Sequence, residues 1–291
     1  MSNVLKGTGV ALVTPFNKNG TIDFSGLSNL IEFCIADGVN YLVVLGTTAE
    51  SVTLSTDEKQ AIIDCVVTTN KNRLPLVLGI GGNNTAAVIE EINARDLSSF
   101  EAVLSVVPMY SKPTQDGIYQ HYKTISQASP KPIVLYNVPS RTGCNMTADT
   151  TLRLAQLDNI IGIKEATSDM SQVLKILKDR PKDFLVISGD DALALSLIMA
   201  GGDGVISVIG QGFPKEFSKM IRLGLSDGKK EAFDILYELL PIIDYAFEEG
   251  NPAGIKQILK EKSICENFVR LPLVAASSNL SHKIATFVNS I

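Results

Sequence analysis

The sequence predicts an α/β protein, a closed (β/α)8 barrel (TIM barrel) followed by a C-terminal helical region. Eight short apolar runs recur along the chain, helix-length amphipathic segments separate them, and the pattern stops after about residue 225. Successive runs begin 20 to 34 residues apart, a spacing typical of repeated strand–loop–helix–loop units. Eight units match the closed barrel better than an open doubly wound sheet, which usually has fewer strands and a glycine-rich nucleotide fingerprint.

The eight predicted strands are almost continuously hydrophobic, as parallel strands covered on both faces are. In chain order they are Gly9–Phe16, Tyr41–Gly46, Pro75–Gly81, Ala102–Pro108, Pro132–Pro139, Ile160–Ala166, Phe184–Gly189 and Gly204–Gly210. The clearest helix between them begins at a capping box, Ser55–Glu58, and runs through about Asn70. The glycine-rich segment Gly79–Asn84 lacks the spacing of a dinucleotide motif and is interpreted as a tight turn.

After residue 225 the strand pattern gives way to three predicted helices, Lys229–Phe247, Pro252–Ser263 and Ser278–Ser290. No flexible linker precedes them. We therefore expect a catalytic barrel over residues 1–225 and a helical region over residues 226–291 that packs on it.

Composition and charge argue against several functional classes. The chain has 31 acidic and 26 basic residues, a net charge of −5 and no basic tract, which argues against a nucleic-acid or anionic-membrane partner. Two distant histidines, His121 and His282, and four cysteines without a CxxC pair provide no metal motif. With neither a signal peptide nor a membrane-length apolar run, we expect a cytoplasmic protein whose cysteines stay reduced.

The predicted strands contain only two charged side chains, the neighbours Lys164 and Glu165. Strand alternation predicts Ile160, Gly162 and Lys164 on one face and Ile161, Ile163 and Glu165 on the other. If the second face packs under the outer helices, Lys164 points into the barrel near the C-terminal end of its strand. Catalytic groups of this fold lie at that end.

Burial of an ammonium in an apolar barrel favours the neutral amine, which is a nucleophile toward carbonyl carbon. A Schiff-base lysine is therefore one hypothesis. A lysine paired with an acid at a loop mouth, or one that binds an anionic substrate, explains the position equally well. Tyr136 has inward parity in the preceding strand and could transfer protons, although a tyrosine in a strand more often serves packing.

Small polar groups follow other strands. Thr47 and Thr48 come after the second strand and Gly189 ends the seventh, where they could bind a small carboxylate. The threonines alone also fit an ordinary strand-to-helix turn. Asp190 and Asp191 argue against a phosphorylated substrate, although the segment Gly210–Gly212 leaves that possibility open.

Taken together, the motifs are recognisable. They are GTTAES at 46–51, VPMY at 107–110, YNVPSRTG at 136–143, GIKEA at 162–166, SGDD at 188–191 and GVISV at 204–208. The chain resembles the dihydrodipicolinate synthases of the pyruvate-dependent class I aldolase superfamily from about Gly7 to Leu273. YNVPSRTG with GIKEA is specific, whereas GTTAES indicates only the wider superfamily.

The resemblance implies a lyase that condenses pyruvate with L-aspartate 4-semialdehyde in lysine and diaminopimelate biosynthesis. Lys164 would form the imine with pyruvate, and no metal or organic cofactor would be needed. The implied proton relay consists of Tyr136, Thr47 and Tyr110. The implied carboxylate-binding groups are Thr48 and Gly189, with the Ile206 backbone lining the same pocket.

The resemblance also implies a homo-oligomer, either a homodimer or a homotetramer built as a dimer of dimers. Tyr110 would reach across the tight interface into the neighbouring site. Arg141 would bind the carboxylate of aspartate semialdehyde, and it is the residue that most separates this family from the sialate lyases.

Some positions depart from the family pattern. Ala49 replaces a common glycine, a change we expect the loop to tolerate, and Asn251–Gly254 replaces NPIP with no effect that the sequence reveals. The positions that bind lysine in inhibited members hold Ala87, Thr56, Met109 and Lys59. A cationic ligand would lose its carboxylate partner and meet a like charge, so we predict weak or absent inhibition by lysine.

Two alternatives remain at this level. One is another pyruvate-dependent aldolase, such as an N-acetylneuraminate or keto-deoxy-sugar lyase, although a polyhydroxylated sugar needs several hydrogen-bonding groups rather than the single cation Arg141. The other is a small-molecule binding protein without catalytic activity, which would not need a lone lysine inside a strand.

Overall fold

Eight parallel strands close into a barrel in the computed structural model, which describes residues 2–226 and 228–290. The strands are β1 Gly7–Ala11, β2 Tyr41–Val44, β3 Leu76–Gly79, β4 Ala102–Val106, β5 Ile133–Asn137, β6 Ile160–Glu165, β7 Leu185–Ser188 and β8 Gly204–Ser207. Each strand pairs with the next, and β8 pairs with β1 from Gly7↔Gly204 onward. The predicted fold class is confirmed.

The first strand ends earlier than predicted, at Ala11 instead of Phe16. The chain beyond it contains Pro15, which has no N–H to donate to a sheet. The Val13 N–H donates to the side chain of Gln211 instead, and Phe16 forms a separate antiparallel bridge with Ile22. These contacts replace the sheet hydrogen bonds beyond Ala11.

Helices cover the barrel and continue beyond it. They are α1 Phe24–Ala36, α2 Thr56–Asn70, α3 Thr85–Asn93, α4 Gln115–Ala128, α5 Pro139–Thr142, α6 Ala148–Leu154, α7 Met170–Asp179, α8 Ala194–Met199, α9 Pro214–Gly224, α10 Lys229–Glu248, α11 Ala253–Glu261 and α12 Ser278–Val288. The capping box of α2 is present, because Ser55 Oγ accepts from the Glu58 N–H and Glu58 accepts from the Ser55 N–H. The three predicted C-terminal helices are confirmed to within two residues at each end.

The core has two layers. The larger one lies between the barrel wall and the helices, and a smaller one fills the barrel interior. At the N-terminal end of the barrel the interior is filled by Leu5 and by Tyr41, which is fully buried. A Cβ on Gly9 would lie 2.2 Å from the Tyr41 ring, so glycine is needed there. This packing closes one end of the barrel and leaves the C-terminal end for a site.

Strand β6 has an irregularity at its start. Ile133 pairs with Ile160 and Val134 pairs with Gly162, so Ile161 is an extra residue in the ladder. As a result Ile160 joins the outer core and Ile161 packs against the barrel interior. The prediction that Ile160 shares the face of Lys164 is therefore wrong, because a bulge shifts the alternation by one residue.

Regular alternation resumes at Gly162, and the prediction for the rest of β6 is confirmed. Ile163 lies in the outer core, and the 94% buried Lys164 faces the barrel interior.

Within the described residues, no helix is both long enough and apolar enough to cross a membrane.

Candidate active site

A cavity of about 810 Å³ opens at the C-terminal ends of the strands. Six of the eight residues predicted for the site line it. They are Thr47, Thr48, Tyr136, Arg141, Lys164 and Gly189. A volume of this size is in the range of small-molecule sites, and its position is the one that this fold uses for catalysis.

Lys164 and Tyr136 are neighbours in the barrel wall. They are paired in register between β5 and β6, and Lys164 Nζ lies 4.4 Å from the centre of the Tyr136 ring. The lysine side chain is 6% exposed and forms neither a hydrogen bond nor an ion pair with the described residues. A Cβ on Gly189 would lie 3.0 Å from Lys164 Cε, so a glycine at that position leaves room for the lysine. The amine is therefore available to a ligand in the cavity.

Behind this pair, on the outer face of the wall, Glu165 accepts hydrogen bonds from three elements. Asn137 Nδ2 donates to both of its oxygens at 2.9 and 3.1 Å, Gln172 Nε2 donates at 3.1 Å, and the Thr167 N–H donates at 3.0 Å. Burial raises the pKa of Glu165 to about 7, and these donors oppose the rise. The network joins β5, β6 and α7 directly behind Tyr136 and Lys164.

The loop after β2 carries Thr47 and Thr48. Thr47 is exposed and Thr48 is buried, and both line the cavity. The Thr48 hydroxyl accepts a hydrogen bond of 2.9 Å from Asn251 Nδ2, and the carbonyl of Ala49 accepts one of 2.7 Å from the Thr14 hydroxyl. Ala49 belongs to a short 3₁₀ turn, Thr47–Ala49, in which an alanine side chain fits.

Asp191, after β7, ties that strand to the end of β8. It accepts the Ser207 hydroxyl at 2.5 Å and the N–H groups of Val208 and Ile209 at 3.1 and 3.2 Å. Burial raises the pKa of Asp191 to about 6 against these donors. Because both of its oxygens accept hydrogen bonds from β8 and the residues after it, Asp191 joins the ends of β7 and β8. Asp190 also lines the cavity, and its Oδ1 accepts from the Leu193 N–H.

Arg141 lies in the short helix α5, is exposed at the mouth and forms no ion pair with the described residues. Tyr110 and Ile206 are not among the described residues that line the cavity. Ile206 packs inside the barrel, whereas Tyr110 is 90% exposed. Tyr110 also has a left-handed backbone with φ 66°, which is uncommon for a residue with a side chain.

One side of the cavity is lined by Lys59, Met109 and Glu91. Glu91 is shared by two cations, because Lys59 Nζ and Arg95 Nη2 each lie 3.4 Å from its Oε1. Thr56 and Ala87 are not among the described lining residues. The Glu91 carboxylate is thus already paired with protein cations.

The sequence reasoning missed the contribution of the C-terminal region. Asn251 lines the cavity, and so do Ile243, Asp244 and Phe247 of α10. It also missed the fully buried Lys256, whose Nζ lies 2.6 Å from Glu50. Lys256 shares the helix α11 with Gln257, Lys260 and Glu261, so its neighbours in the sequence do not single it out.

Comparison with known proteins gives consistent results. A model of the dihydrodipicolinate synthetase family matches residues 4–291. The 4-hydroxy-tetrahydrodipicolinate synthase of Flavobacterium psychrophilum is 56% identical over 98% of both chains. The dihydrodipicolinate synthase structure from Thermotoga maritima has a TM-score of 0.96 at 36% identity, covering 99% of this chain and 98% of that one. The chloride-inhibited enzyme of Acinetobacter baumannii complexed with pyruvate has a TM-score of 0.94 at 36% identity, covering 98% of each chain.

The barrel, its cavity and these relatives define an enzyme, a lyase of the aldolase type. The chain belongs to the dihydrodipicolinate synthetase family, which confirms the resemblance seen in its motifs.

Proposed function

We propose that this chain catalyses the reaction for which its relatives are named, the condensation of pyruvate with L-aspartate 4-semialdehyde followed by ring closure. The observation that carries the proposal is the position of Lys164. Its amine lies in the cavity beside the Tyr136 ring and has no partner among the described residues. Such an amine can add to a ketone, and a phenol next to it can transfer the protons that the addition requires.

In the first step, the Lys164 amine attacks the ketone carbon of pyruvate, and loss of water leaves a protonated imine. The Thr48 hydroxyl and the backbone at Gly189 hold the carboxylate, with the Ile206 backbone completing the pocket. The imine withdraws electrons from the pyruvate methyl group, so a proton leaves that carbon and an enamine forms. Tyr136, with Thr47 and Tyr110, transfers the protons.

In the second step, the enamine carbon attacks the aldehyde of aspartate semialdehyde, whose carboxylate binds Arg141 at the mouth. The amine of the second substrate then attacks the imine carbon and displaces Lys164, which closes the ring and frees the enzyme. Because the imine itself serves as the electron sink, this route requires no metal or organic cofactor. We place the enzyme in the cytoplasm, in the pathway to diaminopimelate and lysine.

We place Tyr110 in the relay of a neighbouring subunit, because it does not line the cavity of its own chain. It is 90% exposed, and Val52, which lines the cavity, is 89% exposed. Two large side chains so exposed beside a catalytic cavity fit a surface covered by another subunit. We therefore propose a homodimer, or a homotetramer built from such dimers, in which Tyr110 completes the neighbouring site.

Borohydride trapping tests the imine. The wild-type protein is incubated with pyruvate and borohydride, digested and analysed by mass spectrometry. We expect the reduced pyruvate adduct on Lys164, no adduct on Lys164→Ala, and an undiminished adduct on Lys59→Ala, which removes another lysine of the cavity. Absence of an adduct from the wild type would contradict the mechanism.

Turnover assays separate this function from its alternatives. We expect turnover with aspartate semialdehyde and none with N-acetylneuraminate. Faster cleavage of N-acetylneuraminate would assign the chain to the sugar lyases, and a protein that binds pyruvate without an adduct or turnover would be a binding protein.

A further inference from the structure

The segment between α10 and α11 reaches into the cavity through Asn251. Its side chain is 8% exposed, lines the cavity and donates from Nδ2 to Thr48 Oγ1 at 2.9 Å. The two residues are more than two hundred positions apart in the chain, so the contact exists only because the C-terminal region folds back over the barrel mouth.

This contact determines what the Thr48 hydroxyl can still do. A hydroxyl has one hydrogen to donate and two lone pairs that accept. Asn251 occupies an acceptor position, and no described residue accepts from Thr48. The remaining hydrogen of Thr48 is therefore left for a ligand in the cavity, and an anionic oxygen is a strong acceptor for it.

Asn251 itself has an unsatisfied group. Its Oδ1 is buried and has no hydrogen-bond partner among the described residues. A buried polar atom without a partner is unusual in a folded protein and often accompanies a functional role. Here it lies on a residue of the cavity wall, next to the donor for Thr48.

A second contact holds the same two segments together. Glu50, two residues after Thr48, is 99% buried at its side chain, and Lys256 Nζ lies 2.6 Å from its Oε1. Lys256 also donates to the Phe268 carbonyl at 2.8 Å, and the Arg270 N–H donates to Glu50 Oε2 at 2.9 Å. Breaking a buried pair of this kind is strongly unfavourable, so the position of Asn251 relative to Thr48 is firmly held.

We propose that Asn251 is a positioning residue of the carboxylate subsite, which directs the Thr48 hydroxyl toward the carboxylate of the 2-oxo acid. The inference rests on the proposed function, since it concerns how that substrate is held. It makes the C-terminal region a part of the substrate site. Asn251 acts through Thr48 and takes no part in the bond changes.

The test is a double-mutant cycle between Asn251 and Thr48, read as KM for pyruvate and as kcat. Asn251→Ala removes the donor to Thr48, and we expect the KM for pyruvate to rise about tenfold while kcat changes little. The reason is that the hydrogen bond from Thr48 to the pyruvate carboxylate is weakened equally in the ground state and in the transition state. In a Thr48→Val background, Asn251→Ala should have almost no further effect on this KM. Thr48→Ser keeps the hydroxyl, so in that background Asn251→Ala should raise the KM for pyruvate by about as much as it does in the wild type.

Asn251→Asp is a second variant, with a side chain of nearly the same shape as asparagine. Its carboxylate cannot donate to Thr48 Oγ1 and instead accepts a hydrogen bond from the Thr48 hydroxyl. We expect its KM for pyruvate to exceed that of Asn251→Ala. Asn267→Ala is the matched control, because Asn267 lies in the same C-terminal region and donates to Gln257 instead. It should leave the KM for pyruvate unchanged.

An unchanged KM for pyruvate in Asn251→Ala and Asn251→Asp would overturn the inference. It would also be overturned if Asn251→Ala raised this KM by the same factor in the Thr48→Val background as in the wild type. The trapped adduct of the wild type separates this failure from failure of the proposed function. If the wild type forms the adduct and the Asn251 variants form it at the same pyruvate concentration, only the role of Asn251 is wrong.

Discussion

Tyr136 and Lys164 stand side by side in the barrel wall, and the residues that follow them, Asn137 and Glu165, are paired in the same way on the outer face. The inner pair meets at 4.4 Å between Nζ and the ring centre, and the outer pair is joined by hydrogen bonds of 2.9 and 3.1 Å. The outer hydrogen bonds therefore hold the register in which the two inner side chains meet.

Replacing Tyr136 by phenylalanine should remove proton transfer and leave the wall intact. The ring remains beside Lys164, so we expect thermal stability to stay near that of the wild type. Loss of a positioned acid–base group should lower kcat about 10²- to 10⁴-fold. Steady-state kinetics together with the melting temperature check this, and a kcat within twofold of the wild type would show that another group transfers the proton.

Mixing two inactive variants should restore activity if Tyr110 acts in the neighbouring subunit. In a mixed dimer of Tyr110→Phe and Lys164→Ala, one site has both wild-type residues and the other has neither. Random assortment should recover about one quarter of wild-type activity. The mixture is unfolded and refolded together, and each variant refolded alone is the control.

If Tyr110 acted within its own subunit, the mixed dimers would stay inactive. If it contributed nothing, Tyr110→Phe alone would be active before mixing. Either result would contradict the proposed crossing of the interface.

Arg141→Ala should weaken the binding of aspartate semialdehyde specifically. An exposed guanidinium without an ion pair is available to a substrate carboxylate, and losing such a contact costs about 2 kcal/mol. We expect the KM for aspartate semialdehyde to rise roughly 30-fold. The KM for pyruvate and the trapped adduct should be unaffected. The KM of Arg141→Lys for aspartate semialdehyde should lie between those of the wild type and Arg141→Ala. Equal effects on both substrates would argue for a structural role.

Lysine should inhibit this enzyme weakly or not at all. Glu91 is the cavity carboxylate that contacts Lys59, and it is already shared by Lys59 and Arg95. A cationic ligand must compete with two protein cations and meets repulsion from Lys59. Initial rates with lysine in the low-millimolar range should match those without it, and substantial inhibition there would show that the prediction is wrong.

Stability should depend on pH through Glu165. Its pKa in the folded protein is about 7, above the ordinary value of 4.5, so the protonated form is favoured by folding. The stabilisation is complete below about pH 4.5 and is lost as the pH rises through about 7. Relative to Glu165→Gln, the wild type should lose roughly 3 kcal/mol of unfolding free energy across this window, at about 1.4 kcal/mol per pKa unit.

Denaturant unfolding at pH 5 and pH 8 measures most of this difference. Glu101→Gln, which changes an exposed carboxylate, is the control and should follow the wild-type profile. Parallel profiles for the wild type and Glu165→Gln would mean that Glu165 is ionised throughout.

The fold could be derived from the sequence because each strand is marked by the pattern of its own consecutive residues. A buried parallel strand must be apolar on both faces, so each strand of the barrel was visible as a short hydrophobic run, and the repeat of these runs determined the architecture. Lys164 stood out for the same reason, as a charge within such a run. The bulge at Ile161 escaped because nothing in the residues themselves distinguishes an extra residue in a ladder from regular alternation.

Contacts between distant segments were decided by the tertiary structure alone. The sequence reveals no role for Asn251, and only the return of the C-terminal region across the barrel mouth places its amide on Thr48. Lys256 was hidden in a helix until folding buried it against Glu50. A hydrogen bond or a buried ion pair depends on two partners and on the space around them, and the sequence lists each partner separately. By itself the sequence determined the barrel, the position of Lys164 inside it and the family, whereas the tertiary structure decided which residues hold the loop after β2 in place.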